Sequence, residues 1–466
     1  MAAYDVVVAG GGNAALCAAI AARLRNASVL VLERAPQAWR GGNSKYTRNI
    51  RVAHANGDEI MPGEYSPEEF LSDLVRVTGS DLDEDLATYV VERSAELPGW
   101  MSGNGIRWQQ PLRGTLQLAR TNRFFLGGGK ALMNAYYRRA ESLGVEIRYD
   151  AAVAGLAFDD DRCTGVAVET NGHTEHVEAR AVVAATGGFE ANIEWLREYW
   201  GDRVDNYAVR GTAFNDGSLL REILDAGAEA RGNPRGHHAI AVDARSPRFD
   251  GGIVTRVDSV PFSVVVNVEG ERFADEGEDL WPMRYATWGG LIGDQPDQKA
   301  FSIFDAKVVG NFIGGAYPPV VAGTVDELAR KVGLPARRVV ETVETYNLSV
   351  VPGVYDATHL DGCRTIDLDP PKTNWALPID TPPYYCYPLI PGITFTYLAI
   401  AVDREGRVLR ESGKPFENLY AAGEIMAGNI LLRGYLAGIG MTIGTVFGTV
   451  AGEQAARDHA ALVTSD

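Results

Sequence analysis

Gly10, Gly12 and Ala15 follow the apolar run "VVVA" and open the alanine-rich stretch "NAALCAAIAARL", giving the spacing G-x-G-x-x-A at the junction of a strand and a helix. Glycines there let the chain turn tightly. They also let a diphosphate approach the free amides of the helix start, where the helix dipole favours an anion. Asn13 and Ala14 complete that loop. Glu33 closes the next apolar run, 23 residues after Gly10, where an acid can accept hydrogen bonds from a ribose hydroxyl, and Arg34 follows it. A glycine turn that serves packing alone is the competing reading, but strand, helix, second strand and acid stand here in the order a dinucleotide requires. FAD is preferred over NAD for three reasons. The motif lies at the amino terminus, a buried strand "AVVAA" stops at Thr186-Gly187-Gly188, and a late strand "NLYAAGE" returns Gly423 and Glu424 to the same crevice.

The elements that must position these groups follow from the same pattern. Residues 4–9 and 28–33 read as buried strands around a helix over 13–25, a βαβ beginning that implies a parallel sheet. Helical, acid-rich sequence covers 67–96, a helix leads to a strand over 127–150, and a hairpin with a buried strand covers 164–189. The rhythm then changes. Between 234 and 355 come isolated strands, proline-rich turns and the helices "VDELARKVG" and "RRVVETVETYN", which read as an inserted domain. The fold class is therefore α/β: a Rossmann-like FAD-binding domain of the glutathione-reductase type (1–233 and 356–466) with an inserted α+β capping domain (234–355).

Composition limits the function classes. A chain of 466 residues is long enough for two or three domains, and its 52 glycines favour many close backbone approaches. A net charge of −17 argues against nucleic acid, so an anionic substrate needs a local arginine cluster. Cys17, Cys163, Cys363 and Cys386 are scattered without C-x-x-C, which supports no metal or cluster site and suggests a reduced, cytoplasmic chain. The start "MAAYD" shows no cleavable apolar stretch. The uncharged "GYLAGIGMTIGTVFGTVAG" (434–452) nearly has the length of a membrane span, yet its glycines and threonines favour a buried, closely packed helix.

Taken together, "GGGNAALCAAIAA", "WRGGNSKYTRN", "AATGGFEAN", "GTAFNDGSLLREILDAGAE", "VNVEGERFADE" and "LYAAGEIMAG" resemble the flavoprotein family of fumarate reductase and succinate dehydrogenase over essentially the whole chain. The resemblance implies a cap that closes over the flavin and a polycarboxylate between the two domains. Further FAD contacts are implied at Gly41, Gly42, Asn43 and Ser44, at Asn215 and Asp216, and at Gly438. FAD is expected to be non-covalent, because Lys45 stands where a linking histidine is absent. Arg284 is implied as the proton-transfer group, although the acidic run before it also offers Glu278 or Asp279 as an ion-pair partner. His237 or His238, Thr255 and Thr396 are implied as substrate contacts. Arg433 is implied as a carboxylate clamp, with Tyr435 as its rival, because an arginine between "NILL" and "GYLAG" is costly to bury without an anion. Two departures matter. Arg256 and Ser259 replace a glutamate and an arginine, and Phe395 replaces a histidine before Thr396. They speak against fumarate reduction and leave oxidation of a related saturated acid open. Within the family, "GGGNAALCAAI", "WRGGNSKYTRN" and "KTNWALPIDTPPYYCYP" most resemble tricarballylate dehydrogenases, which implies oxidation of tricarballylate to cis-aconitate, with Arg256 near a third carboxylate. Reduced flavin is then expected to pass electrons to a separate acceptor, a membrane-bound, quinone-linked protein. A flavin desaturase or oxidase acting on an uncharged ketone, served by tyrosines such as Tyr317 or Tyr435, is the second reading. A flavin subunit that only relays electrons is the third.

Overall fold

Val6, Val7, Val8 and Ala9 are fully buried, as a strand covered on both faces must be. The structure is a computed structural model that describes residues 4–111 and 118–463. Strand Tyr4–Ala9 lies at the centre of an eight-stranded sheet. It pairs in parallel with Val29–Leu32 on one side and with His173–Ala184 on the other, so Val8 faces Val31 and Val183. The strand Pro415–Ala421 joins in parallel beyond His173–Ala184, which brings the carboxyl-terminal segment back to the first domain as the sequence implied. The helical stretch at 67–96 is two helices, Pro67–Thr78 and Glu84–Ser94, because Gly79 leaves the helical region and Asp83 caps a new start.

The helix Ile439–Val463 packs along Asn13–Leu24. Gly444, Gly448 and Gly452 recur every four residues and face Ala14, Cys17 and Ala18. No described helix is long and apolar enough to cross a membrane. A Cβ at Gly448 would lie 2.5 Å from the Ala14 carbonyl oxygen, and one at Gly452 would lie 2.1 Å from that of Ala18. Both contacts are with backbone, which cannot yield as a side chain can. Gly448→Val is expected to cost ~1–3 kcal/mol or more of stability, read as a lowered denaturation midpoint. An unchanged midpoint would mean that the two helices can part freely.

A second, six-stranded sheet belongs to the cap. Its central strand is Tyr384–Ile400, paired antiparallel with Ala230–Asp243 and Ala300–Asp305. Sequence reading gave that strand to the returning FAD-binding segment. Its seventeen residues instead pair on both sides within the cap, and the sheet also takes in Ala208–Val209. The boundary at 234 therefore falls within the strand Ala230–Asp243, and the one at 355 falls between two strands of the same sheet, Val320–Ala322 and Tyr384–Ile400. The helices Val325–Lys331 and Ala336–Ser349 pack beneath it, where the periodicity located them.

Candidate functional site

Four strands of the first sheet, Tyr4–Ala9, Val29–Leu32, His173–Ala184 and Pro415–Ala421, end at one crevice, as expected for ligand sites in open α/β sheets. Its empty volume is about 1590 Å³ including the open mouth, more than one small molecule needs and enough for a dinucleotide with a substrate beyond it. The loops after the four strands contribute Gly10–Ala14, Leu32–Ala35, Ala185–Gly187 and Ala422–Glu424.

The glycines of the first loop have different tasks. Gly10 holds φ +108°, and a Cβ there would sit 2.4 Å from the Ala185 carbonyl oxygen, so it serves the strand crossing. At Gly12 a Cβ would meet only Ser44 Oγ, at 3.6 Å, and would otherwise project into the crevice. Gly12 precedes the first helical residue and gives the helix no side-chain cap, so the helix start is open to an anion. Ala15 is fully buried behind the loop and serves packing rather than contact.

Glu33 faces the crevice but is nearly enclosed. Its Oε1 accepts from Ala35 N at 2.9 Å and its Oε2 from Gly41 N at 3.1 Å. Burial raises its pKa, and those two amides pull it back toward the charged form. Gly42, Asn43, Ser44, Asn215 and Asp216 line the same wall, and Arg34 pairs with Asp216 at 2.5 Å. Gly41 sits just behind that wall against Met133, and Gly438 lines the far end. The Thr186 hydroxyl is buried without a hydrogen-bond partner, a polar group waiting for a ligand. Gly188 sits too close to Thr396 and Glu424 to carry a side chain and backs the wall. Lys45 is tied to the Trp39 carbonyl at 2.8 Å and lies 3.6 Å from Asp250.

The sequence reading brought Glu424 to the crevice but missed the second acid beside it. Glu190, the last residue of "GGFE", is fully buried, and its Oε1 accepts from Asn215 at 2.8 Å and from Asn43. Glu424 faces it and accepts from Thr396 N at 2.9 Å. Burial, then the charge of Glu190, pushes Glu424 well above the carboxylate range. The neutral form of Glu424 is thereby favoured beside Glu190, whose Oε2 is buried without a hydrogen-bond partner.

Besides the loops, Thr394 and Phe395, the same cavity is walled by Arg48, Arg210, Arg256, His238, Tyr285 and Tyr435. Elsewhere this protein gives each buried arginine a carboxylate: Arg51 lies 3.5 Å from Asp73, and Arg272 pairs with Glu276 at 2.6 Å. Arg256 follows that rule through Asp258 at 2.6 Å. Arg48 and Arg210 do not. Among the described residues no acid lies within ion-pairing distance of either. Arg210 donates only to Thr394 Oγ1, at 2.8 Å, and its Nε is buried without a partner. Burial, reinforced by repulsion from Arg256, lowers Arg48 to about 9, and burial lowers Arg210 to about 10. Neither arginine was singled out from the sequence, although Arg48 ends the quoted "SKYTR" and Arg210 precedes "GTAFNDG".

The residues expected to meet the substrate divide between this cavity and its surroundings. His238 and Tyr435 stack at 3.9 Å and line it, and burial, then Arg210, keep His238 neutral. His237 points the other way, onto Trp200 at 4.3 Å, because neighbours on a strand face opposite sides. Thr396 is turned inward and serves Phe189 N at 3.2 Å, while Thr394, two residues earlier, reaches the cavity. Thr255 bonds its own turn at the Gly252 carbonyl, 2.9 Å away. Arg433 is exposed and lies against Gly79, so the burial that suggested a bound anion there is absent. Arg284 pairs with Glu278 outside the cavity, whereas the next residue, Tyr285, faces in.

Comparison with known proteins agrees with this geometry. The chain is 28% identical over 470 residues to "Probable fumarate reductase Ifc3" of Shewanella frigidimarina, covering 97% of this chain and 75% of that one. It is 27% identical to the NADH:fumarate oxidoreductase of Klebsiella pneumoniae, covering 97% of this chain and 48% of that longer protein. The fold matches an open flavocytochrome c3 fumarate reductase with a TM-score of 0.75 at 24% identity, covering 98% of this chain and 78% of that one. It matches a 3-ketosteroid-Δ4-(5α)-dehydrogenase from Rhodococcus jostii RHA1 with a TM-score of 0.74 at 26% identity, covering 97% of this chain and 96% of that one. A family profile described as an FAD binding domain matches residues 5–440. With its helix start open beside Gly12, Glu33 on the second strand and a returning segment at Glu424, the chain belongs to the FAD binding domain family, and its cofactor is FAD.

Proposed function

We propose that the protein dehydrogenates a polycarboxylate, forming a carbon–carbon double bond next to a carboxylate, with tricarballylate as substrate and cis-aconitate as product. The chain is an FAD-dependent oxidoreductase, and bound FAD supplies the two-electron acceptor that takes one hydrogen with its bonding pair. One observation carries the choice of substrate: Arg48, Arg210 and Arg256 line one pocket, and among the described residues only Arg256 of the three has a carboxylate partner, Asp258. Two guanidiniums without a carboxylate partner leave positive charge for an anionic ligand to neutralise, which a water-filled cavity does not do well. Planar donors also suit a carboxylate whose oxygens receive charge as the neighbouring C–H is broken.

Arg256 is held in place by Asp258, whose Oδ2 accepts from Arg256 Nη2 at 2.8 Å and whose Oδ1 accepts from Trp281 Nε1 at 2.6 Å, so its remaining donors have a fixed direction. Thr394 orients Arg210 in the same way. The stacked His238 and Tyr435 form a neutral wall on one side of the cavity and limit access of water to it. FAD is proposed to be held without a covalent link, and its electrons to leave through a separate, membrane-bound, quinone-linked acceptor. Phe395, Tyr285 and Tyr435 support the second reading, an uncharged ring ketone, because they give the same cavity aromatic walls. Anaerobic addition of tricarballylate, with succinate, citrate and a ring ketone in parallel, decides between them. Bleaching of the flavin by tricarballylate is the expected result. A flavin bleached only by the ketone would establish the second reading.

A further inference from the structure

Dehydrogenation needs a group that takes a proton, and the cavity narrows the choice. His238 would become a fourth cation among Arg48, Arg210 and Arg256, and its ring is already held neutral by burial and by Arg210 and Arg256. Tyr46 gives its hydroxyl to Asp250. Tyr435 Oη receives Gly440 N at 2.9 Å, at the start of the last helix. Arg256 is paired with Asp258. Arg284 lies outside, bound to Glu278.

Tyr285 remains. It is 4% exposed, lines the cavity and makes no hydrogen bond through its hydroxyl among the described residues. Arg256 lies 5.0 Å from the centre of its ring, and His238 meets the ring edge-on at 5.4 Å. Trp281, at 6.2 Å, packs behind it. Arg256, Arg210, Arg48 and Arg51 all favour its ionised form, although burial keeps the phenol above its ordinary value. Any group that gains a positive charge here is penalised, and one that gains a negative charge is favoured.

We propose that Tyr285 is the catalytic residue that carries the substrate proton. This rests on the polycarboxylate reading for the identity of the substrate, not for the role of the tyrosine. One C–H hydrogen leaves with its bonding pair to the hydride acceptor named above. The adjacent C–H gives only its proton to the Tyr285 phenolate oxygen, and the pair left on carbon becomes the new π bond. The phenol has first released its own proton to water. In the reverse direction it returns the substrate proton to carbon, and the three arginines hold the phenolate that results.

The test uses the holoenzyme and Tyr285→Phe. Because the Tyr285 hydroxyl has no partner to lose, Tyr285→Phe is expected to melt as wild type does. Its rate of anaerobic flavin reduction by tricarballylate is expected to fall about 10²–10⁴-fold, the usual worth of a positioned acid or base. The dissociation constant for tricarballylate, read from perturbation of the oxidised flavin spectrum, stays within about threefold of wild type, a kcat loss without a KM loss. A Tyr285→Phe rate within tenfold of wild type would overturn the assignment and leave the polycarboxylate reading standing. If wild type is reduced only by the ring ketone, the polycarboxylate reading fails, and Tyr285 stands or falls by whether Tyr285→Phe slows that reaction. A wild-type flavin unmoved by acids and ketone alike overturns both.

Discussion

Replacing Arg48 and Arg210 together by methionine is expected to lower kcat/KM for a polycarboxylate by at least about 10³-fold, while raising the melting temperature of the substrate-free protein. The first effect follows from what the two guanidiniums lack. Truncating one partner of a buried charge pair costs about 2–5 kcal/mol, so two such losses exceed a thousandfold in rate even with partial compensation by Arg256. The second effect has the opposite sign because the free cavity is not an optimum for the fold. Both arginines have folded values, about 9 and about 10, below the ordinary guanidinium range, so their charged forms are disfavoured by folding. That cost is fully present at neutral pH and is relieved only as pH rises through those values. Methionine of similar length removes the charge and keeps the volume. Tricarballylate should raise the melting temperature of wild type and leave the double variant unmoved. A double variant that loses stability, or that still responds to tricarballylate, would mean that the arginines serve the fold and not the substrate.

The contrast between these two arginines and Arg433 shows what the sequence could and could not reveal. Strand, glycine turn, helix and closing acid are local features, set by residues within about thirty positions of one another, and they were legible from Val6 to Glu33. The glycine-rich last helix was legible for a related reason, since small residues four apart imply a close neighbour even when that neighbour is distant in sequence. The substrate end draws on Arg48, Arg210, Arg256, Tyr285 and Thr394, spread over most of the chain, so no local pattern joins them. There the outcome depends on which way one side chain points. His237 and His238 are neighbours with opposite fates, and so are Arg284 and Tyr285. Arg433 looked buried because its neighbours are apolar, yet its own turn carries it to the surface. The available signal for Arg48 and Arg210 was their place beside the glycine and asparagine turns already read as cofactor loops.

Gly12→Val is expected to yield a folded but colourless protein, with FAD affinity lowered on the order of a hundredfold or more. The argument rests on the difference between Gly12 and Gly10. At Gly10 a side chain meets the Ala185 backbone at 2.4 Å and must adopt φ +108°, so any substitution damages the crossing of the first sheet along with the site. At Gly12 the backbone angles, φ −78° and ψ −173°, are open to any residue, and the nearest atom is Ser44 Oγ at 3.6 Å. The protein itself has room for valine there; the ligand does not. The added methyl groups fill the approach to the amides that start the helix, the one place where a diphosphate can reach them. As a residue before the helix, valine costs the fold about a kilocalorie or less beyond glycine. Circular dichroism and melting of Gly12→Val should therefore match those of wild type stripped of its flavin. Gly10→Val should fall well below both. Tightly bound flavin in Gly12→Val would place the diphosphate away from this loop and would require a different cofactor pose in the crevice.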